Sequence, residues 1–260
     1  MVRFLGNGSF CKKKGGSDTI RFMKELLLFL DIGNTSIAGF EYDPVADKFC
    51  DEWKLPTQSW ARLTQKPCYR ELWIASVVPD VVPPIQALFD IQSHVVDIQM
   101  ISSIQIDLPN PNQVGIDRVL NAVAAYDKYR SALLILDLGT ALTGCFVDDT
   151  GVYKGGFIVP GLDIAARALA EHTAKIPKVE VFPEFALFGV TTEQAVRVGL
   201  SKGYQHLMNG FIAEYRAEYP GIRVIGTGTG ISYLTGLHCD VIEASLIRDG
   251  MRLLYKQFLK

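Results

Sequence analysis

Apolar residues fall along this chain in short runs that stop abruptly at an aspartate and a glycine. Leu26–Leu30 is continuously apolar and is closed by Asp31-Ile32-Gly33-Asn34-Thr35; Ile37–Tyr42 follows and ends at Asp43-Pro44. Short apolar runs bounded by turn residues predict buried strands, so this pair reads as a β-hairpin with a polar tip. The pattern returns about a hundred residues later. Ala132–Leu136 runs into Asp137-Leu138-Gly139-Thr140, Leu142–Val147 returns, and Asp148-Asp149-Thr150-Gly151 closes the turn. The repeat predicts an internal duplication of structure.

Between and after the hairpins the periodicity changes. Leu72–Val78 and Val95–Ile101 read as strands, and Val82–Phe89 as a helix after its prolines. Asp117–Tyr129 is the clearest amphipathic helix, with Val119, Leu120, Val123 and Tyr126 at helical spacing. Gly155–Gly161 reads as a Gly/Pro-punctuated loop leading into a helix at Asp163–His172. A further helix is predicted over Thr192–Phe211, a strand over Arg223–Ile225 ending in the glycine-rich turn Gly226–Gly230, and a last helix over Ser245–Phe258. The expected organisation is an N-terminal extension (1–22), an N-terminal half (23–112) and a C-terminal half (113–260). The extension lacks a periodic apolar face, and we expect it to be disordered and dispensable. With no Pro, Gly or Ser-rich linker between them, the halves should meet at a shared cleft.

Composition narrows the classes. The chain of 260 residues is 48% hydrophobic and 21% charged, with a formal net charge of -2. That balance predicts a buried core and offers no electrostatic footprint for nucleic acid or an anionic membrane. No apolar run reaches the roughly 20 residues of a membrane span. Five scattered cysteines without a C-x-x-C pair, and four dispersed histidines, point away from disulfides or zinc and toward a reducing, cytoplasmic setting.

The hairpin tips suggest the chemistry. Glycine in a tight turn lets backbone N–H groups approach phosphate oxygens, and Thr35 or Thr140 adds a hydroxyl donor. Asp31 would repel phosphate directly, so its natural task is to hold a cation that neutralises it. Two facing hairpins would clamp a polyphosphate, with Gly226–Gly230 giving backbone access for the rest of a nucleotide.

This order of turns resembles the actin-like, sugar-kinase-like ATPases of α/β (ribonuclease H-like) fold, with mixed sheets flanked by helices and a cleft between two related halves. Further motifs resemble the type III pantothenate kinase family. Asn110-Pro111-Asn112-Gln113-Val114-Gly115-Ile116-Asp117-Arg118 is similar to its N-P-x-x-L-G-x-D-R segment, and Ala75–Pro79 to its S-V-V-P strand end. Gly155–Leu162 is similar to its G-G-x-I-x-P-G-L segment, Thr173–Pro177 to T-A-x-L-P, and Phe188–Thr192 to G-x-N-T.

The resemblance implies transfer of the ATP γ-phosphate to pantothenate, the first step toward coenzyme A. It also implies a homodimer, Mg²⁺ and a monovalent cation, K⁺ or NH₄⁺. It makes Asp117 the general base and puts Leu108, Gly115, Ile116, Asp117, Arg118 and Thr192 at pantothenate. It puts Asp31, Ile32, Gly33, Asn34, Thr35, Ser36, Ile37, Ala38 and Thr140 at ATP, and Asp137 at the monovalent cation. At the start of a helix, Asp117 should be kept ionised by the positive dipole end.

Three positions depart from the family pattern. Leu108 stands where an aromatic is usual, Cys145 replaces an aspartate, and Thr229 a glycine. They leave open another small-alcohol acceptor, or a non-catalytic nucleotide-binding regulator of the transcriptional accessory kind.

Overall fold

A computed structural model describes residues 25–66, 68–181 and 186–259. The 1–22 extension lies outside the described residues. The first half holds β1 (Leu26–Ile32), β2 (Ser36–Asp43), β3 (Lys48–Pro56), β4 (Tyr69–Ser76), the short helix α1 (Val82–Ala87) and β5 (Gln92–Val95). There follow β6 (Gln105–Ile106), α2 (Ile116–Tyr129), β7 (Leu133–Leu138), β8 (Ala141–Val147), β9 (Val152–Pro160), α3 (Leu162–His172), α4 (Thr192–Glu218), β10 (Arg223–Thr227), β11 (Val241–Ile242) and α5 (Leu246–Phe258).

The duplication expected from the repeated apolar pattern appears in the topology. The first sheet runs β3-β2-β1-β4-β5 and the second β11-β10-β7-β8-β9-β6. In each, three antiparallel strands from one meander are extended by two parallel strands on the far side of the first. β6 adds a short parallel strand against β9.

Both sheets bury two faces, which is why β1 and β7 read as continuous apolar runs. Leu28, Leu30 and Ile32 face one core with Ile37, Leu72 and Ile85, while Leu27 and Phe29 face another with Trp73, Leu120, Met251 and Tyr255. Each such side chain contributes about 1.5–3 kcal/mol on burial. α2 thus lies between the sheets: Leu120 packs on the first, and Val119 and Val123 on the second. α5 returns from the second half and crosses α2 so closely that a Cβ at Gly250 would stand 2.3 Å from the Leu120 carbonyl oxygen. These contacts fix α2, and with it Asp117, relative to both hairpins.

Some local expectations change. The strand expected over Val95–Ile101 ends at Val95, because the Asp97 carboxylate accepts a hydrogen bond from the Gln99 N–H (2.8 Å) and turns the chain into a 3₁₀ helix, Ile98–Met100. The loop expected at Gly155–Gly161 is mostly strand β9. Its glycines sit at φ +108° (Gly155) and +154° (Gly156), and a Cβ at Gly156 would fall 1.7 Å from the Gly144 carbonyl oxygen of β8. Glycine is therefore what lets β9 approach β8. β3 was not foreseen at all, since its polar residues hide the alternation. α4 continues past Phe211 to Glu218.

Candidate active site

The two hairpin tips meet. Thr35 Oγ1 and Thr140 Oγ1 lie 2.9 Å apart across 105 residues of chain. Each tip is a tight turn closed by its own backbone: the Gly33 N–H donates to the Ser36 carbonyl (3.0 Å), and the Gly139 N–H to the Ala141 carbonyl (2.9 Å). Each is also braced by the residue that follows its third strand. Thr57 donates its hydroxyl to the Gly33 carbonyl (2.6 Å) and its N–H to the Thr35 carbonyl (3.1 Å), while the Gly161 N–H donates to the Thr140 carbonyl (3.0 Å). Ile32 and Ile37 pair across the first hairpin and are fully buried, so this tip can offer a ligand their backbone only. Asn34 and Thr35 are exposed, while Ser36 and Ala38 are half-buried.

Under the tips three carboxylates gather: Asp31 at the end of β1, Asp137 in the matching position of β7, and Asp117 in the first turn of α2. Asp31 is pushed up to about 7, by burial first and then by the charges of Asp117 and Asp137, with the Lys54 ammonium opposing. Asp137 is pushed up to about 6 by burial and by Asp117, against the Asn121 amide and Lys54. Burial also raises Asp117, more than the backbone N–H groups at the helix start and the Arg118 charge can lower it. The expected dominance of the helix dipole therefore does not hold; desolvation wins. Asp117 Oδ1 is buried with no hydrogen-bond partner among the described residues.

These shifts predict a pH effect on stability. Between about pH 4 and 7 the folded chain holds protons on Asp31 and Asp137 that the unfolded chain has released, so stability falls as pH rises. Thermal denaturation of the ligand-free chain should give a higher Tm near pH 5.5 than near pH 8. A Tm that rises over that interval would contradict this assignment.

The third turn lies directly against Asp137. Thr227 is its register partner, and a Cβ at Gly228 (φ +88°) would stand 2.3 Å from Asp137 Oδ1. On the other side Asn121, one helical turn after Asp117, donates to Asp137 Oδ2 (3.0 Å). Neither Asn121 nor Lys54 was singled out from the sequence. The i,i+4 spacing from Asp117 would have found Asn121; Lys54 needed the unforeseen strand β3.

Arg118 reaches β8, where its Nε donates to Cys145 Sγ (3.2 Å), as does the Tyr153 hydroxyl (3.3 Å). Burial pushes the Cys145 thiol up, so Arg118 faces a neutral group and its charge stays available to an anion. Leu108 lies half-buried beside β9, with its Cδ2 3.3 Å from where a Cβ on Gly155 would be. Gly115 and Ile116 lead into Asp117 and line a cleft of about 370 Å³ with Ser76, Val77, Asn112 and Gln113. Thr192 opens α4, exposed, and forms no hydrogen bond to the aspartates. His172 ends α3, Asp148 serves its own turn through Thr150 and Val152, and Trp73 is core.

The arrangement fits a cation-assisted phosphate site. The charges of Asp117 and Asp137 raise Asp31, and that of Asp117 raises Asp137, so added positive charge would relieve the cluster; the buried Asp117 Oδ1 has no hydrogen-bond partner among the described residues. Among the described residues no three acidic, His or Cys side chains form a ready metal cage, so a cation here would share its coordination with phosphate oxygens and water. No helix among them is long and apolar enough to cross a membrane.

The family model for type III pantothenate kinase matches residues 27–214. The type III pantothenate kinase of Geobacter sulfurreducens is 33% identical over 256 residues, covering 89% of this chain and 99% of that protein. The one from an Exiguobacterium species is 31% identical, with the same coverage. Among solved structures, a Campylobacter jejuni protein assigned to the Baf family of transcriptional activators matches with TM-score 0.57 at 18% identity, over 90% of this chain and 99% of that one. A Sinorhizobium meliloti protein assigned as a 2-dehydro-3-deoxygalactonokinase matches with TM-score 0.55 at 13% identity, over 88% and 96%. At such identities these likenesses speak for the fold alone, an α/β fold with two mixed sheets flanked by helices. The family match spans both hairpins, the Asp117 segment and most of α4, and on it the chain belongs to the type III pantothenate kinase family.

Proposed function

We propose that this chain transfers the γ-phosphoryl group of ATP to the primary hydroxyl of pantothenate, giving 4′-phosphopantothenate. The observation that carries the reading is the convergence of Asp31, Asp117 and Asp137 beneath two touching hairpin tips. The tips cradle the polyphosphate through the backbone of Asp31–Ala38 and the Thr140 hydroxyl. Asp117 accepts the proton of the attacking hydroxyl as the new oxygen–phosphorus bond forms. The bond from the γ-phosphorus to the β,γ-bridging oxygen breaks, and its electron pair leaves with ADP. A raised Asp117 is a stronger base than an ordinary aspartate, and works in its ionised form. Arg118 pairs with the pantothenate carboxylate, with Gly115, Ile116, Leu108 and Thr192 around the rest.

The donor set suits two cations. Asp31 would hold Mg²⁺ through water and Asp137, beside Thr140, would hold K⁺ or NH₄⁺; bound there, they would neutralise phosphate charge. The same reading makes the working protein a cytoplasmic homodimer without nucleic-acid or membrane partners, built from halves at 23–112 and 113–260. A coupled assay tests it. ADP should form only when pantothenate is present, and faster in K⁺ or NH₄⁺ than in Na⁺. ADP formation indifferent to pantothenate would sink the proposal. A panel of other small alcohols in the same assay addresses a different acceptor, the reading favoured by Leu108 in place of an aromatic.

A further inference from the structure

We infer that Lys54 is a further catalytic residue, whose ammonium contacts the phosphoryl group in transit. The inference rests on the kinase reading above and adds to it a residue from outside both hairpin turns.

The argument starts from register. Asp31 pairs with Ala38 across β1 and β2, and Ala38 pairs with Lys54 across β2 and β3. The three therefore lie in one row on one face of the sheet. Two strand spacings put the Lys54 backbone about 10 Å from that of Asp31. Ala38 between them offers only a methyl group, so the long lysine side chain can lie over it toward the carboxylate.

The neighbours fix which face this is. Trp53 and Leu55, on either side of Lys54, turn to the outer core with Leu28 and Ile74. Glu52, on the same side as Lys54, meets Arg248 of α5 at 2.9 Å. That is the side where α2 and α5 lie and where Asp117 begins.

Electrostatics agrees with the geometry. Lys54 is the lysine whose charge acts on both Asp31 and Asp137, one from each half. Its ammonium forms no hydrogen bond or close ion pair among the described residues, so it is not spent on another side chain.

The duplication supplies an internal comparison. In the second sheet the matching row runs Asp137, Thr143, Ile158. Ile158 is 62% exposed and carries no charge. The two halves therefore offer equivalent aspartates but a single row lysine, on the first half only. A cation aimed at the interval between the hairpins would meet the equatorial oxygens of the migrating group, where charge is spread during phosphoryl transfer.

Edge-strand lysines also serve simply to guard a sheet edge, and kinetics separates the roles. In the full chain, Lys54→Met should lower kcat by about 10²–10³-fold. The pantothenate KM and calorimetric ADP affinity should stay within about threefold, and Lys54→Arg should recover most of the lost turnover. Lys54→Arg should keep the wild-type Tm, and Lys54→Met should lose at most a little of it at neutral pH, because a charge that favours ionised Asp31 and Asp137 is removed. If Lys54→Met keeps kcat within about threefold beside an active wild type, or loses only pantothenate KM or ADP affinity, the Lys54 role is overturned while the kinase reading stands. Failure of Lys54→Arg to recover turnover also overturns it. A wild-type chain inert toward pantothenate would instead overturn the kinase reading, and this inference with it.

Discussion

Asp117→Asn should lower kcat by about 10²–10⁴-fold, the range a positioned general base supplies, while nucleotide affinity survives. Asparagine keeps the shape and the place in the first turn of α2 but cannot take the hydroxyl proton. The same change removes a negative charge that now raises Asp31 and Asp137. The variant should therefore be at least as stable as the wild type at neutral pH, and both remaining aspartates should titrate lower. This pairing of lost turnover with retained or increased Tm separates a chemical role from a structural one. Single-turnover kinetics and a thermal melt measure the two halves of the prediction. Near-normal turnover would remove Asp117 as the base; a large drop in Tm would mean that it supports the fold.

Gly228→Ala should cost both stability and activity. At φ +88° any Cβ is strained, and here it would also stand 2.3 Å from Asp137 Oδ1 and 2.7 Å from the Leu138 carbonyl group. Backbone strain of this kind is about 1–3 kcal/mol, and the contact with Asp137 adds to it. Either the third turn lifts away or Asp137 is displaced; both spoil the proposed cation seat. We expect at least about a tenfold loss of kcat and a blunted response to K⁺. Gly221 gives a matched control. It has the same φ of +88° but nothing within 4 Å of its Cβ position. Gly221→Ala should show the backbone cost in Tm and keep its activity. Equal loss of activity in the two variants would mean that strain, not Asp137, explains the effect.

Much of this was legible in the sequence because its causes are local. Buried strands need apolar runs and tight turns need glycine, so both hairpins and their repetition stood out. α2 stood out because Val119, Leu120 and Val123 must face two cores. What failed to show was carried by pairing between distant segments. β3 hides its alternation under Lys48, Asp51, Glu52 and Lys54, and β9 hides under Gly155 and Gly156, whose lack of side chains is what lets it pair closely. Register across those strands places Lys54 in the row of Asp31, and no pattern within either segment could reveal that. The Thr35–Thr140 contact and the Asn121–Asp137 hydrogen bond are likewise products of the assembled halves. Cys145 could be seen as a departure from the family pattern, but its meaning needed Arg118 and Tyr153 beside it.

The central claim is that these halves move a phosphoryl group from ATP to the pantothenate hydroxyl. The most direct test follows the atom itself. The full chain is incubated with ATP carrying labelled γ-phosphate, pantothenate, Mg²⁺ and K⁺, and the products are resolved by mass spectrometry. The account predicts labelled 4′-phosphopantothenate in one-to-one ratio with ADP, nearly abolished in Asp117→Asn. Label that stays in ATP despite nucleotide binding, or that appears only as inorganic phosphate, would contradict it.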